Sequence, residues 1–383
     1  MTEFHFELKT YRRFPITITK GEGAYIFTDT GKKILDLYGG HAVSSTGHCH
    51  PHVVKAIKEQ VEKIIFYSNI VDIPIRNESI KLLGDILPDN LNSIFFVNSG
   101  SEANDNAIKI ARRATGRKKI LSLSDSYHGR TLAALSVTGL SGYQRAIDPM
   151  QEERTIIPSG DRNRLAQELK TKQYAGIILE PIQSMGGLIQ HHRDYLLDVI
   201  SLGSQTGTKV IFDEVQTGMG RMGRYFFSND PDLCPDIMTT AKGLASGVPM
   251  GAVVVSKDIA SSIDYGDLGS TFGGAPLACA ALKATIEVIQ QESLLENVTE
   301  TRGYLDNKLK EISCIKEIRG EGFLMGLKFD GSAKPVQKFL LDNNILTGLS
   351  ADPEILRLMP PLNLTITEAS QLVQVLHKYS ESI

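Results

Sequence analysis

Three charged side chains stand where apolar runs end. Asp213 follows Lys-Val-Ile-Phe from Lys209, Glu180 closes YAGIILE, and Lys242 follows PDIMTTA ahead of the glycine-bearing GLASGVP. Each would emerge from a buried strand, or from the loop after it, onto the same sheet edge, where ligands of open α/β sheets gather. One such acid taken alone is more often half of a structural salt bridge, and a loop lysine is ordinarily solvated. As a set they offer a nucleophilic amine and a carboxylate able to stabilise a nearby positive charge.

A fourth feature supplies anion binding. The run NSIFFV leads into NSGSEANDNAIKIARRATG, in which Ser99 and Glu102 have the spacing of a capping box. Ala103, Ala107, Ala111 and Ala114 share one face, Arg112 and Arg113 fall in the last turn, and Gly116 suits a C-terminal cap. The free N–H groups around Ser99, Gly100 and Ser101 would point at an anion, with phosphate the natural guest. A well-capped helix needs no ligand, and only the combination is specific. An amine for a Schiff base, a carboxylate to keep a pyridine nitrogen protonated and an anchor for a phosphate are together what pyridoxal 5'-phosphate requires. A nucleotide-binding module is the weaker alternative, because neither a P-loop lysine nor a GxGxxG turn is present.

The elements that must position these groups are legible. NSIFFV, KKILSLS, YAGIILEP, GTKVIFDE and MGAVVVS are short Ile-, Val- and Phe-rich runs alternating with helical stretches, the pattern of a parallel sheet buried on both faces. Before them, GAYIFTDTGKKILDLYGG reads as a hairpin turning at Asp29-Thr30-Gly31. After about residue 286 come helices, the strand GFLMGLKF and the turn-rich LSADPEILRLMPP. An α/β chain follows, with a large domain over residues 36–285 and a small α+β domain assembled from both ends, residues 1–35 and 286–383.

Composition narrows the partners. With 41 basic against 44 acidic residues in 383, net −3, the chain lacks the electrostatic footprint of a nucleic-acid or anionic-membrane binder, so an anionic partner should be small. Cys49, Cys234, Cys279 and Cys314 form no CxxC pair, which suggests neither a disulfide framework nor a cysteine zinc site and fits a reducing cytoplasm. MTEFHFELKTYRRFP has acids where a signal peptide would be basic, and no run is long enough to span a bilayer. The cluster His48, Cys49, His50 and His52 offers zinc-type ligands, but His50-Pro51 reads better as the opening of the helix PHVVKAIKEQVEKI. No metal is expected, and His191 and His192 should face solvent.

In order and spacing, GEGAYIFTDTGKKILDLYGGHAVSSTGHCHP, NSGSEANDNAIKIAR, SYHGRTLAALS, ILEPIQ, DEVQTGMGR, AKGLASGVPMGA, GSTFGGAPLACAAL and RLMPPL resemble the class III, fold type I pyridoxal-phosphate aminotransferases. Within that family the acetylornithine and ornithine aminotransferases are most similar. The resemblance covers nearly the whole chain and implies a mainly parallel central sheet flanked by helices. It makes Lys242 the lysine that holds the cofactor and shuttles the proton, and Asp213 the partner of the ring nitrogen. Gln216 would contact the phenolic oxygen, Ser99, Gly100 and Ser101 the phosphate, and Tyr127 the ring face, with His128 also in the cofactor site. Ser270 and Thr271 would reach the phosphate of a neighbouring copy, so a homodimer with shared active sites is implied. Tyr11, Arg130, Glu180 and Arg357 fall where the family binds substrate; an arginine fork suits a carboxylate because it meets both oxygens at once.

The resemblance further implies transfer of a terminal amine, as of N-acetylornithine, to 2-oxoglutarate by a ping-pong mechanism, in cytoplasmic amino-acid metabolism such as arginine biosynthesis. Another class III donor or acceptor (4-aminobutyrate, lysine, diaminobutyrate or pyruvate), or an aminomutase or racemase of the same fold, is the alternative. Two departures bear on that choice. EPIQSMGG puts Met185 where relatives of this type usually carry an acid that pairs with the carboxylate-binding arginine, and GGAP puts Ala275 where they usually carry Asn. Without the acid, Arg357 should stay available for a carboxylate in both half-reactions.

Overall fold

The computed structural model describes Leu8 and residues 10–143 and 151–382. The first seven residues of the expected N-terminal segment and the final Ile383 lie outside them. Seven strands form the central sheet, in the order Ser93–Val97, Gly251–Val255, Ile237–Thr240, Lys209–Asp213, Tyr174–Leu179, Lys119–Leu123, Arg154–Ile157. From Ile237–Thr240 to Arg154–Ile157 all pairings are parallel. Gly251–Val255 departs from the expected parallel pattern and runs antiparallel to both its neighbours. All five of its residues are buried, and burial on both faces erases the alternation that would have marked its direction.

The strand Arg154–Ile157 was not foreseen, since the short RTII carries little signal at a sheet edge. The helix Gly100–Thr115 forms as its sequence suggests, except that the Glu102 carboxylate accepts the Asn98 N–H at 3.0 Å rather than that of the N-cap, so the capping box is half made. Ser99 Oγ accepts the Glu102 N–H at 3.2 Å, Ala103, Ala107 and Ala111 are fully buried, and Gly116 closes it at φ 69°. This helix packs across the strands Gly251–Val255, Ile237–Thr240 and Tyr174–Leu179, so its N-terminus opens over the carboxyl edge of the sheet.

Two smaller sheets flank the first. One unites chain ends: Ile18–Glu22, Tyr25–Thr28 and Lys33–Asp36, with Ile345–Leu346. Its hairpin turns at Gly31, φ 78°, as expected. The other joins Glu317–Glu321, Leu324–Lys328, Ile355–Leu358 and Gly348–Leu349. The stretch LSADPEILRLMPP is therefore not only turn, because ILRL is a buried strand that carries Arg357 opposite Gly326.

His50 caps the helix Pro51–Lys63 by accepting the His52 N–H at 3.2 Å. His48, His50 and His52 each bond a different carboxylate, those of Asp36, Glu292 and Glu287, all at 2.8 Å. Among the described residues no group of three or more His, Cys, Asp and Glu is arranged around a common point for a metal. His192 is exposed as expected, but His191 is only 6% exposed and stacks on Tyr195 at 5.3 Å. Burial holds its imidazole well below the usual range, at about 4.

Candidate active site

Parallel register explains how distant charges converge. Asp213, last in its strand, pairs with Thr239 in the next strand, and Lys242 follows three residues later, so both leave the same sheet edge. Lys242 begins a 3₁₀ turn, Lys242–Ala245, with its own φ at 41°, a left-handed value uncommon for a residue with a Cβ. At the next position a Cβ on Gly243 would lie 2.1 Å from Ser45 Oγ, so any larger residue would have to turn that hydroxyl away. Burial lowers the Lys242 ammonium to about 8, partly opposed by the charges of Asp213 and Glu180.

Asp213 is held from three sides. Asn104 Nδ2 donates to Oδ2 at 2.7 Å, His128 Nδ1 lies 2.8 Å from the same oxygen, and the Val215 N–H donates to Oδ1 at 3.1 Å. Thr239 Oγ1 donates to Asn104 Oδ1 at 2.7 Å and fixes the amide. Sequence reasoning missed Asn104; its signal was a polar residue on the alanine face of a buried helix. The adjacent Glu214 serves the fold. Its carboxylate accepts the N–H groups of Phe227 and Ser228, with Ser228 Oγ at 2.5 Å and Thr217 Oγ1 at 3.2 Å.

A cavity of about 360 Å³ lies over this edge, lined by Ser99, Gly100, Ser101, Tyr127, His128, Arg130, Glu180, Asp213, Gln216 and Lys242, with His41 and Asn98 also in its wall. Ser101 Oγ accepts the N–H groups of Arg130 and Thr131 at 2.9 and 3.0 Å, tying the helix start to the loop. Gly129, φ 134°, is required there, since its Cβ would fall 2.2 Å from Ser101 Oγ. The Tyr127 N–H donates to Glu180 Oε1 at 2.8 Å, and the Tyr127 ring meets Tyr143 edge-on at 5.3 Å. Arg130 stacks on Tyr143 at 4.1 Å.

Glu180 stands one residue past its strand rather than closing it. Burial first, then the charge of Asp213, raises its carboxyl to about 7. Arg357 is 2% exposed and has no ion-pair partner among the described residues; Nε donates to Leu349 O at 2.8 Å and Nη1 to Ser184 Oγ at 3.1 Å. Ser184, also missed from sequence, occupies the loop closed by the short pair Ile182–Gln183 and Ile189–Gln190. Tyr11 is 84% exposed and does not line the cavity. Ser270 and Thr271 also lie outside the cavity wall, Thr271 exposed and Ser270 Oγ accepting from Asn98 Nδ2 at 3.2 Å.

The residues present fit pyridoxal phosphate. A helix start with the Gly100 and Ser101 N–H groups unbonded among the described residues offers a seat for phosphate. Two buried polar atoms in the cavity wall, His128 Nε2 and Gln216 Oε1, lack partners among the described residues, and Lys242 supplies an amine with a lowered pKa.

Residues 7–379 match the family model "Aminotransferase class-III". The chain is 39% identical to the acetylornithine aminotransferase of Methanothermobacter thermautotrophicus over 378 residues, covering 98% of this chain and 96% of that one. With the Listeria innocua acetylornithine aminotransferase it shares 39% identity, covering 97% of each. A solved ornithine aminotransferase from Toxoplasma gondii, with partial occupancy of PLP at its active site, superimposes with a TM-score of 0.90 at 28% identity, over 99% of this chain and 92% of that one.

Proposed function

Because this chain belongs to the class III aminotransferases, enzymes that use pyridoxal phosphate to move amino groups between amino acids and oxo acids, we propose that it transfers the terminal amine of N-acetylornithine, or of a similar amino acid, to 2-oxoglutarate by a ping-pong mechanism. When bound, the cofactor supplies a carbonyl that carries the amino group and a ring that takes up the electrons left as the substrate carbon loses its proton. Lys242 Nζ is the group that attaches the cofactor and moves the proton, and a pKa of about 8 leaves part of it neutral near physiological pH. Asp213, fixed by Asn104 and His128, holds a negative charge against the ring nitrogen.

The Gly100 and Ser101 amides with Ser99 bind phosphate, Tyr127 covers the ring, and Gln216 bonds its phenolic oxygen. Ser270 and Thr271 of this chain reach the phosphate of a second copy, in a homodimer with shared sites. Arg357 and Arg130 take substrate carboxylates, with Glu180 and Tyr11 beside them. The division into 36–285 and a smaller body from 1–35 and 286–383 is supported by the sheet that joins Lys33–Asp36 to Ile345–Leu346. Among the described residues no helix is long and apolar enough to cross a membrane. Cytoplasmic arginine biosynthesis suits the names borne by the relatives.

The observation that carries the donor assignment is Arg357, a buried guanidinium without a carboxylate partner among the described residues, whose field reaches Lys242. The test is a half-reaction screen on purified holoenzyme. Acetylornithine, ornithine, lysine, diaminobutyrate, 4-aminobutyrate and β-alanine are compared by the spectral change of the bound cofactor. Acetylornithine should react fastest; a response confined to ornithine, lysine and diaminobutyrate, the donors of this set with a free α-amine, overturns the terminal-amine reading.

Met185 favours a second reading, the same enzyme class with another donor. Met185→Glu should improve ornithine relative to the other donors, and an unaltered ranking removes Met185 from the argument.

A further inference from the structure

One wall of the cavity is a strained turn that the assigned roles do not use. Gly39, Gly40, His41 and Ala42 have consecutive φ values of 58, 57, 71 and 63°, so four residues in a row sit in the left-handed region. Glycine adopts that region freely, but for His41 and Ala42 it is unfavourable and must be imposed by the surroundings. Asp36 Oδ1 accepts the Tyr38 and Gly39 N–H groups, both at 2.9 Å. On the far side, the Met359 N–H donates to Leu37 O at 2.7 Å, and a Cβ on Gly39 would lie 2.4 Å from Met359 O. The turn is thereby locked to the segment that carries Arg357.

The side chain this turn delivers is His41, which lines the cavity and feels the positive charges of both Lys242 and Arg357. Its Nδ1 is bonded to the Tyr38 hydroxyl, with the two rings edge-on at 5.3 Å. Burial and the two cations hold its imidazole down at about 3, so it is neutral near pH 7. The Tyr38 oxygen also lies in the field of Arg357, which favours lone pairs toward the guanidinium and the O–H toward His41 Nδ1. The ring hydrogen then resides on Nε2, the ring nitrogen that the Tyr38 bond leaves over, on a side chain that is only half-buried in the cavity wall.

We propose that His41 is a substrate-positioning residue: its Nε2–H donates to an uncharged carbonyl oxygen on a substrate stretched between Lys242 and Arg357, and so favours N-acylated over free amino acids. This rests on the aminotransferase reading and gives it a substrate class. A free ammonium beside His41 would face an N–H donor between two cations. The carboxylates of the cavity wall are already engaged: Glu180 accepts backbone N–H groups from Tyr127 at 2.8 Å and Ser184 at 3.4 Å, and Asp213 is held by Asn104, His128 and the Val215 N–H. An acyl oxygen meets a donor at the same place.

The experiment compares wild-type holoenzyme with His41→Gly and His41→Asn. Glycine takes φ 71° without strain, and asparagine tolerates it while keeping an N–H donor. Steady-state kinetics with N-acetylornithine and ornithine are read beside calorimetric binding of N-acetylnorvaline and norvaline, which lack the terminal amine. In H41G the KM ratio of acetylated to free donor should rise by roughly tenfold, with the split in KM rather than kcat, and the preference for N-acetylnorvaline over norvaline should fall alike. H41N should recover most of both. Unchanged ratios in H41G, or equal losses for both donors without recovery in H41N, overturn the assignment. A wild-type enzyme inactive with both donors counts against the donor reading alone, because the norvaline pair still decides His41.

Discussion

Arg357 and Ser184, 173 positions apart in the chain, meet in a 3.1 Å hydrogen bond from Nη1 to Oγ. The partner of this buried guanidinium is a neutral hydroxyl, so its charge is oriented without being neutralised. A carboxylate in that place would have to be displaced before a substrate carboxylate could bind. Ser184→Ala should therefore raise KM for the amino-acid donor and the oxo-acid acceptor together, by roughly tenfold to a hundredfold, the worth of one hydrogen bond to a charged group. Steady-state kinetics of both half-reactions check this. An effect on only one of them would show that Arg357 does not serve both.

Lys242 has a pH signature. Its ammonium is lowered mainly by burial to about 8 from an unfolded value near 10.5. In cofactor-free protein the rate of reconstitution with pyridoxal phosphate should climb with pH and level off above about 8. Below 8 both folded and unfolded forms carry the proton; between 8 and 10.5 only the unfolded chain does, so this group makes stability rise with pH in that window. Stopped-flow absorbance across the range is the measurement, and a midpoint near 10 would contradict the buried placement of the amine.

Glu180 shifts the opposite way, from 4.5 to about 7, through burial and then Asp213. The folded protein binds a proton there that the unfolded chain releases. Its contribution is complete below 4.5 and is lost as pH rises through 7. Glu180→Gln should flatten the decline of melting temperature between those values, compared with wild type in the same cofactor state. Parallel melting curves from calorimetry would mean that the carboxyl is already ionised in the fold.

Ala275 has a structural reading that its sequence alone lacked. It is the N-cap of the buried helix Pro276–Gln291, at φ −57° and ψ 145°, with no side-chain cap, and Pro276 follows at the first helical position. An asparagine there could accept a free N–H of the first turn. Ala275→Asn should stabilise the protein by about 1 kcal/mol, read as a higher midpoint in denaturant. A lower midpoint would mean that the longer side chain collides with its neighbours.

How much of this was legible follows the range of each interaction. The capped helix at Ser99, the hairpin at Gly31 and the strand that ends in Asp213 are written in residues a few positions apart, where spacing, turn chemistry and apolar runs act. The grouping of Asp213, Glu180 and Lys242 was also readable, because parallel strands deliver their carboxyl ends to one edge. Tertiary structure alone decided the rest. Asn104 and His128 clamp Asp213 from 109 and 85 positions away. Ser184, in a loop, meets Arg357 on the strand Ile355–Leu358, Gly251–Val255 reverses direction, and His41 enters the cavity on a left-handed turn held by Asp36 and Met359. These are contacts between distant segments, and their partners are chosen by how the sheets and loops pack; even where a residue stood out locally, as Asn104 did on its alanine face, the local pattern did not name its partner.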